Sequence, residues 1–360
     1  MRPRWLTLKP VVPPCWKAVS PRWMTDVIRQ HHPDAKVSEV RLVEQAEDIN
    51  RRARFALRYA RGTGPDGVFV KTHGPAMRWE HMRSGELFGE ARLFASGMPL
   101  PIEHPTVYRA VPDYPRVNAL LVMEDMTTRG GDFRDATRPM TVDQVADGLR
   151  GLARLHRQYW GITPKSHPPL RWLKPWSVDE GWRTGLMHRL PIGLARTHDR
   201  LPAAIKDISS HRVIELWSRY LDSLMEGEPT LLHGEACICN SYVMPGDKVG
   251  FHDWQLVRRG NWARDTAYFL VSALTIEDRR ANERRLLEIY RDALQLPDGQ
   301  APSMDEIWRR YRQTHVLGLT NWLARRGKDG VRAPAISEAL IDRYAAAFVE
   351  TDTLGALDDA

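Results

Sequence analysis

Apolar positions along the chain recur first at helical and then at strand spacing. Ser20 followed by Pro21, with Trp23, Met24, Val27 and Ile28 on one face, predicts a helix with serine as its N-cap and proline at its first position. Residues 37–43 and 53–60 read as strands and 68–71 as a third, which is the start of an antiparallel sheet. Helical periodicity returns over about 79–95 and stops at Gly97. Residues 118–126, NALLVMEDM, form an apolar strand ending in two acids. After Gly130 and Gly131, Thr141 and Gln144 make a capping box, and Val142, Val145, Leu149, Leu152 and Leu155 follow on one helical face. The pattern weakens over 161–200, around Trp172, Trp176 and Trp182, and a helix is predicted over 210–225. Residues 277–349 are helical by periodicity, with breaks at 296–303 and 327–334. The acidic tail, 351–360, is expected to fray. No internal repeat or low-complexity segment interrupts this order.

One stretch departs from simple patterning: residues 230–255, TLLHGEACICNSYVMPGDKVGFHDWQ. Runs 241–244 and 248–251 have strand character, and Pro245-Gly246-Asp247 between them supplies turn chemistry, because proline presets φ and glycine accepts positive φ. If Met244 faces Lys248, Asn240 lies opposite His252, and Asp253 follows one residue later. A neutral amide oxygen and a carboxylate are then gathered at the open end of the hairpin. That is hard-oxygen ligation suited to Mg²⁺, which takes few protein ligands and completes its shell with water and phosphate. His233-Gly234-Glu235 lies on the loop entering the hairpin, placing a second carboxylate five residues before the amide.

Composition sets outer bounds. A chain of 360 residues with 42% hydrophobic and 27% charged residues can bury a sizeable core and divide in two. Three cysteines, two of them at 237 and 239, form no disulfide framework, which points to a reducing, cytoplasmic setting. Prolines and Lys9 interrupt the basic start before any secretory apolar core forms, so no signal is expected. The longest apolar run, 266–274, is short of the ~20 residues of a membrane helix, so no membrane association is expected. The net charge is +7, and the basic residues are overwhelmingly arginine, spread along the chain as in the pairs at 51/52, 258/259, 279/280, 309/310 and 325/326. Such scatter reads as solvated helix faces rather than a nucleic-acid-binding stripe.

The 230–255 stretch resembles the catalytic core of the aminoglycoside phosphotransferases and of the related ecdysteroid-kinase-like and choline-kinase-like small-molecule kinases. Their pattern is H-G-D-x-x-x-x-N, a hairpin, then Asp, often followed by Trp. Here it reads His233-Gly234-Glu235, Asn240, then Asp253-Trp254, with glutamate in place of the first aspartate. The resemblance implies that Glu235, with His233 beside it in the catalytic loop, orients or deprotonates an acceptor hydroxyl, while Asn240 and Asp253 hold Mg²⁺ on the phosphates of ATP or GTP. It implies that Lys71, ending the apolar strand Val68-Phe69-Val70, holds the α- and β-phosphates and is itself held by Glu90, with Glu86 as second choice. Glu124, Asp125 and Met126 become the hinge beside the adenine, and Asp265 an acid bracing the catalytic loop. The phosphate-covering loop falls around 44–52, which contains no glycine. Arg51 or Arg52 is then either a direct phosphate contact or, the commoner outcome, solvated surface.

The expected fold is α+β, a two-lobed protein-kinase-like architecture with a small antiparallel-sheet N-lobe and a largely helical C-lobe. The boundaries read from sequence are a loose segment 1–19, a nucleotide-binding lobe 20–125, a C-lobe 126–350 with the catalytic hairpin 230–255, and a tail 351–360. The expected activity is phosphorylation of a small-molecule hydroxyl by a monomer or homodimer. The tryptophan-rich variable region and basic charge favour a partly apolar, less cationic acceptor. Two other chemistries compete. His233-Gly-Glu235 with Cys237 and Cys239 fits half of a zinc-deaminase pattern, but Pro-Cys-x-x-Cys is missing and Cys-x-Cys would crowd one metal. The stronger rival is a catalytically degenerate kinase fold that binds a ligand or partner.

Overall fold

The computed structural model describes residues 12–47, 50–74, 82, 87–176, 180–297, 300–329 and 334–358. The chain divides into two compact units: the first comprises 1–99, 104–131 and 253–257, and the second 100–103, 132–252 and 258–360.

The first unit is a twisted antiparallel sheet with a helix on each face. Its elements are α1 (Pro21–Ile28), β1 (Lys36–Glu47), β2 (Asn50–Arg61), β3 (Gly67–His73), α2 (Gly89–Ala95), β4 (Val107–Asp113) and β5 (Asn118–Glu124), with strand order β1-β2-β3-β5-β4. Ser20 caps α1 by accepting from the Trp23 N–H, and Pro21 opens the helix. Because side chains alternate along a strand, each strand feeds two faces. Ala53, Phe55, Val68, Val70, Leu120 and Val122 face Met24, Val27 and Ile28 of α1 in the main core. Phe69, Leu121 and Met123 line the opposite face against Ala91 and Phe94 of α2.

Three expectations change here. β1 continues to Glu47 and β2 starts at Asn50, so most of the stretch 44–52 is paired strand rather than loop. Its polar residues conceal this because only one face of the hairpin is covered. The described part of the segment 1–19 is not loose, since Val12, Trp16 and Val19 are buried in the core. Of the helix expected over 79–95, residues Gly89–Ala95 form α2, while Glu86 lies outside the described residues.

The second unit is mostly helical: α3 (Val142–Gln158), α4 (Glu180–Thr197), α5 (Ser210–Ser223), α6 (Ala263–Ala273), α7 (Ile276–Leu294), α8 (Met304–Arg326), α9 (Pro334–Glu350) and α10 (Thr353–Asp358). Two small sheets accompany them. Strands β6 (Asp132–Phe133), β8 (Ser241–Met244) and β9 (Lys248–Phe251) pair in the order β6-β8-β9, and β7 (Thr230–Leu232) pairs with β10 (Arg258–Gly260). The Thr141–Gln144 capping box opens α3 as the sequence predicts. Every residue of α6 is buried, so this helix is the post around which the unit packs.

The tail expected to fray forms α10 instead, with Ala356 and Leu357 buried. The arginine pairs are also not uniformly solvated. Arg258, Arg279 and Arg310 are buried, and Arg279 and Arg310 are neutralised by Glu283 at 2.6 Å and Glu226 at 2.7 Å. A charge at such depth requires a partner. Among the described residues no helix is long and apolar enough to cross a membrane.

Candidate active site

In the first unit the chemistry converges on Lys71. The ammonium lies 2.7 Å from Glu90 Oε2 and 2.6 Å from Asp253 Oδ1, with side-chain exposures of 10%, 6% and 35% for Lys71, Glu90 and Asp253. Burial alone would lower the Lys71 pKa, but the two carboxylates outweigh it and hold the ammonium above its ordinary range. Local structure explains each position. Lys71 continues the side-chain alternation of β3 onto the α2 face, and Glu90 stands in the first turn of α2. The backbone N–H of Trp254 donates to the second oxygen of Glu90 at 3.2 Å. Asp253 sits at φ +63°, ψ +64°, a left-handed conformation that asparagine and aspartate tolerate better than most non-glycine residues. Trp254 is buried with its ring edge-on to Phe94, which anchors the backbone that presents Asp253.

In the second unit the loop 233–240 is held from below by Asp265, in the first turn of α6. Its carboxylate accepts from the N–H of His233 at 2.6 Å and of Gly234 at 2.9 Å, and faces His156 Nε2 at 3.5 Å. Burial pushes the Asp265 pKa up, but the hydrogen bond from the His156 imidazole and the Gly234 N–H outweigh it and bring the pKa below the usual carboxylate range. Gly234 takes φ +87°, where a side chain would be strained. His233 is fully buried. Its Nδ1 accepts from the Glu235 N–H at 3.3 Å, so its Nε2 carries the proton and donates to the His252 carbonyl at 3.0 Å. Both nitrogens are thus engaged in bracing the loop, a positioning place rather than a reactive one.

The hairpin has the register expected from sequence: Met244 opposes Lys248, Ser241 opposes Phe251, and the His252 N–H donates to the Asn240 carbonyl at 3.0 Å. The side-chain amide of Asn240 donates to the Glu235 carbonyl at 3.0 Å, leaving its oxygen as the end able to meet a cation. Glu235 itself is 20% exposed, and its Oε1 lies 2.5 Å from Nη2 of Arg325, whose side chain is 46% exposed at the end of α8. Arg325 in turn packs its guanidinium over Trp322 at 4.8 Å. The Arg325-Arg326 pair is expected from sequence on a solvated face, and Arg325 instead pairs with Glu235. Nothing local in the sequence ties Arg325 to a residue ninety positions earlier.

Next to this loop, Cys237 is buried and Cys239 half-buried. The Cys237 S–H hydrogen bond holds the Cys239 thiol below its ordinary pKa; burial opposes this and the Arg325 charge supports it. Cys237 itself is pushed well above its own. Among the described residues no group of three or more His, Cys, Asp and Glu side chains is arranged to hold a metal, and His233 Nε2 is directed at the His252 carbonyl.

The expected hinge side chains in the first unit are engaged in bracing. Asp125 accepts from Arg54 at 2.8 Å and from the backbone N–H of Thr127 at 3.1 Å, and Glu124 pairs with Arg129 at 3.0 Å. Met126 is buried at the start of the following helical turn. A cavity of about 180 Å³ opens on the β1–β2 hairpin, lined by Glu44, Ala46, Arg52, Arg54 and Phe69 among others. A larger groove of about 420 Å³, beside Arg200 and Asp342 in the second unit, contains none of these residues.

Comparison with known proteins bears on the fold. The family model described as "Uncharacterized oxidoreductase dhs-27" (DUF1679), an ecdysteroid-kinase-like family, matches residues 248–323, a stretch containing Asp253 and Asp265. No curated protein sequence matches significantly. A putative aminoglycoside phosphotransferase from Ralstonia eutropha JMP134 superposes with a TM-score of 0.53 at 14% identity, covering 92% of this chain and 96% of that one. A spectinomycin phosphotransferase solved with ADP and spectinomycin superposes with a TM-score of 0.52 at 12% identity, covering 93% and 99%. With its antiparallel-sheet N-terminal unit and helical C-terminal unit, this chain has the kinase-like fold of the aminoglycoside phosphotransferases.

Proposed function

We propose that this protein transfers the γ-phosphoryl group of ATP or GTP to a hydroxyl of a small molecule. The observation that carries the reading is the Lys71 cluster: an ammonium fixed between Glu90 and Asp253 inside the first unit. Two carboxylates around one buried lysine hold that lysine in place, and Asp253, the more exposed of the two, can also meet a cation. In phosphoryl transfer there is little covalent work for the protein, and positioning with charge compensation dominates.

The roles follow. Lys71 binds phosphate oxygens and Glu90 fixes it, while Asp253 and Asn240 supply oxygens to Mg²⁺. The Asn240 amide fits that role because its nitrogen is committed to the Glu235 carbonyl. Bound Mg²⁺ neutralises the charge that develops on the β- and γ-phosphates. Glu235 accepts the proton of the acceptor hydroxyl as its oxygen attacks the γ-phosphorus and the bond to the bridging oxygen breaks, releasing ADP or GDP. His233 and Asp265 hold the loop that aims Glu235. Arg325 beside Glu235 disfavours an ammonium at the acceptor and agrees with a less cationic, partly apolar alcohol.

One observation favours the second reading, a non-catalytic ligand-binding protein: Glu235 is already paired with Arg325. The deciding experiment is calorimetric titration of Mg·ATP and Mg·GTP into the purified protein and its Asp253→Ala variant. Micromolar binding that requires both Mg²⁺ and Asp253 is expected. Absence of binding to folded protein, with and without a panel of small alcohols, would favour the binding-module reading.

A further inference from the structure

We propose that Arg52 binds the β- and γ-phosphates of the nucleotide through its guanidinium, replacing the backbone N–H groups of a glycine-rich loop. This rests on the nucleotide-binding reading above. The first support is topological. Arg52 is the register partner of Lys71 in the β2–β3 pair, and directly opposed residues share a sheet face. Arg54, opposed to Phe69, lies on the same face, and all three of Arg52, Arg54 and Phe69 line the 180 Å³ cavity.

The second support is the fate of the main chain. In a glycine-rich loop the backbone N–H groups point at phosphate. Here residues 44–54 contain no glycine, and Ala46 opposite Arg52 and Glu47 opposite Arg51 continue the β1–β2 ladder. Among the described residues 44–47 and 50–54 the main chain is engaged in strand pairing, and side chains on this face are the donors proposed for phosphate.

The third support is charge. Lys71 shared between Glu90 and Asp253 leaves a cluster with one net negative charge, which repels a polyphosphate until cations are added. Mg²⁺ contributes on the Asp253 side. Arg52 contributes a permanent positive charge on the sheet side, and its planar fork matches phosphate oxygens two at a time. Arg54 lies opposite Phe69, two residues along β3 from Lys71, and pairs with Asp125 and Glu44 at 2.8 and 3.2 Å on that face.

The neighbouring arginine provides an internal control. Arg51 faces the other side of the sheet, bonded to Glu47 at 3.2 Å and to the Pro14 carbonyl at 3.3 Å, with its guanidinium over Trp16 at 4.8 Å. The test is calorimetric titration of the full-length chain with ATP and AMP, each with Mg²⁺. Arg52→Ala is expected to weaken ATP roughly 10- to 100-fold, the range for one or two charge-assisted hydrogen bonds, and AMP by less than about threefold on the same basis. Arg52→Lys should retain part of the ATP affinity, and Arg51→Ala should stay within about twofold of wild type for both ligands. Unchanged ATP affinity in Arg52→Ala, or a parallel loss of ATP and AMP that signals a distorted sheet, would overturn the assignment. Wild-type protein that binds no triphosphate would remove the nucleotide reading itself, and this assignment with it.

Discussion

Shortening Glu235 to aspartate gives the acid of the H-G-D pattern that residues 233–240 resemble, and the Arg325 contact reverses the naive expectation that this should help. One methylene withdraws the carboxylate by up to about 1.5 Å. The Nη2 to Oε1 separation of 2.5 Å would then open to roughly 4 Å. The stability effect is small, because Arg325 is nearly half exposed and such pairs contribute about 1 kcal/mol or less. Under the function proposed above, with Glu235 as the base, the rate effect is larger: misplacing a reacting group by about 1 Å costs on the order of a hundredfold, or roughly 2.7 kcal/mol of barrier. Glu235→Asp should therefore lose about a hundredfold in turnover with a nearly unchanged melting temperature. The assay is ADP release at saturating Mg·ATP over a panel of small alcohols, with water as acceptor where none is found. In an Arg325→Ala background the same change should cost far less, since the two residues act as a pair. An aspartate variant as fast as wild type would refute the idea that the loop is built for glutamate.

Two further outcomes follow from the second unit. Asp265→Asn places an amide against two buried N–H donors and should destabilise the protein by about 1–3 kcal/mol at pH 7, read from the urea midpoint. Because the folded-state pKa of Asp265 is depressed, its contribution is present above the ordinary carboxylate pKa of about 3.9 and is lost as pH falls through the lower folded value. The gap between variant and wild type should thus be constant from about pH 5 to 7 and narrow below about pH 4; a gap that persists at the lowest pH would contradict the assignment. Cys239 should react with iodoacetamide before Cys237, and Cys237→Ala should slow Cys239 at pH 7–8 by removing the S–H donor that favours its thiolate. Peptide mass mapping reads both rates, and equal Cys239 rates in the two proteins would refute the coupling.

Much of the fold was legible because local chemistry and packing agree. Ser20-Pro21, the Thr141–Gln144 box and Pro245-Gly246-Asp247 each specify backbone geometry within a few residues, and the structure follows them. The pairing of Lys71 with Glu90 came from the family resemblance, since a lysine ending an apolar strand does not by itself name its partner, and the two side chains do lie 2.7 Å apart. The paired ends of β1 and β2 read as loop because Asn50, Arg51 and Arg52 carry no apolar alternation where one face meets a charged cavity. Arg325 was misread because a pair spanning ninety positions leaves no local trace. The tail was misread because its acidic residues outweigh, in composition, the Ala356 and Leu357 that bury it.

Asp253 belongs to the first unit although most of that unit's sequence ends at Gly131. On the ribosome the sheet and the Lys71–Glu90 pair emerge early, while Asp253 and Trp254 follow on the order of a hundred residues later. At about 5–20 residues per second the delay is about 6–25 s. During that interval Lys71 has only one of its two carboxylates, and the backbone donor to Glu90 does not yet exist. The small unit is thus completed by residues synthesised after about half of the helical unit, and a nascent chain truncated before Asp253 should hold its sheet less firmly than one that extends past Val257.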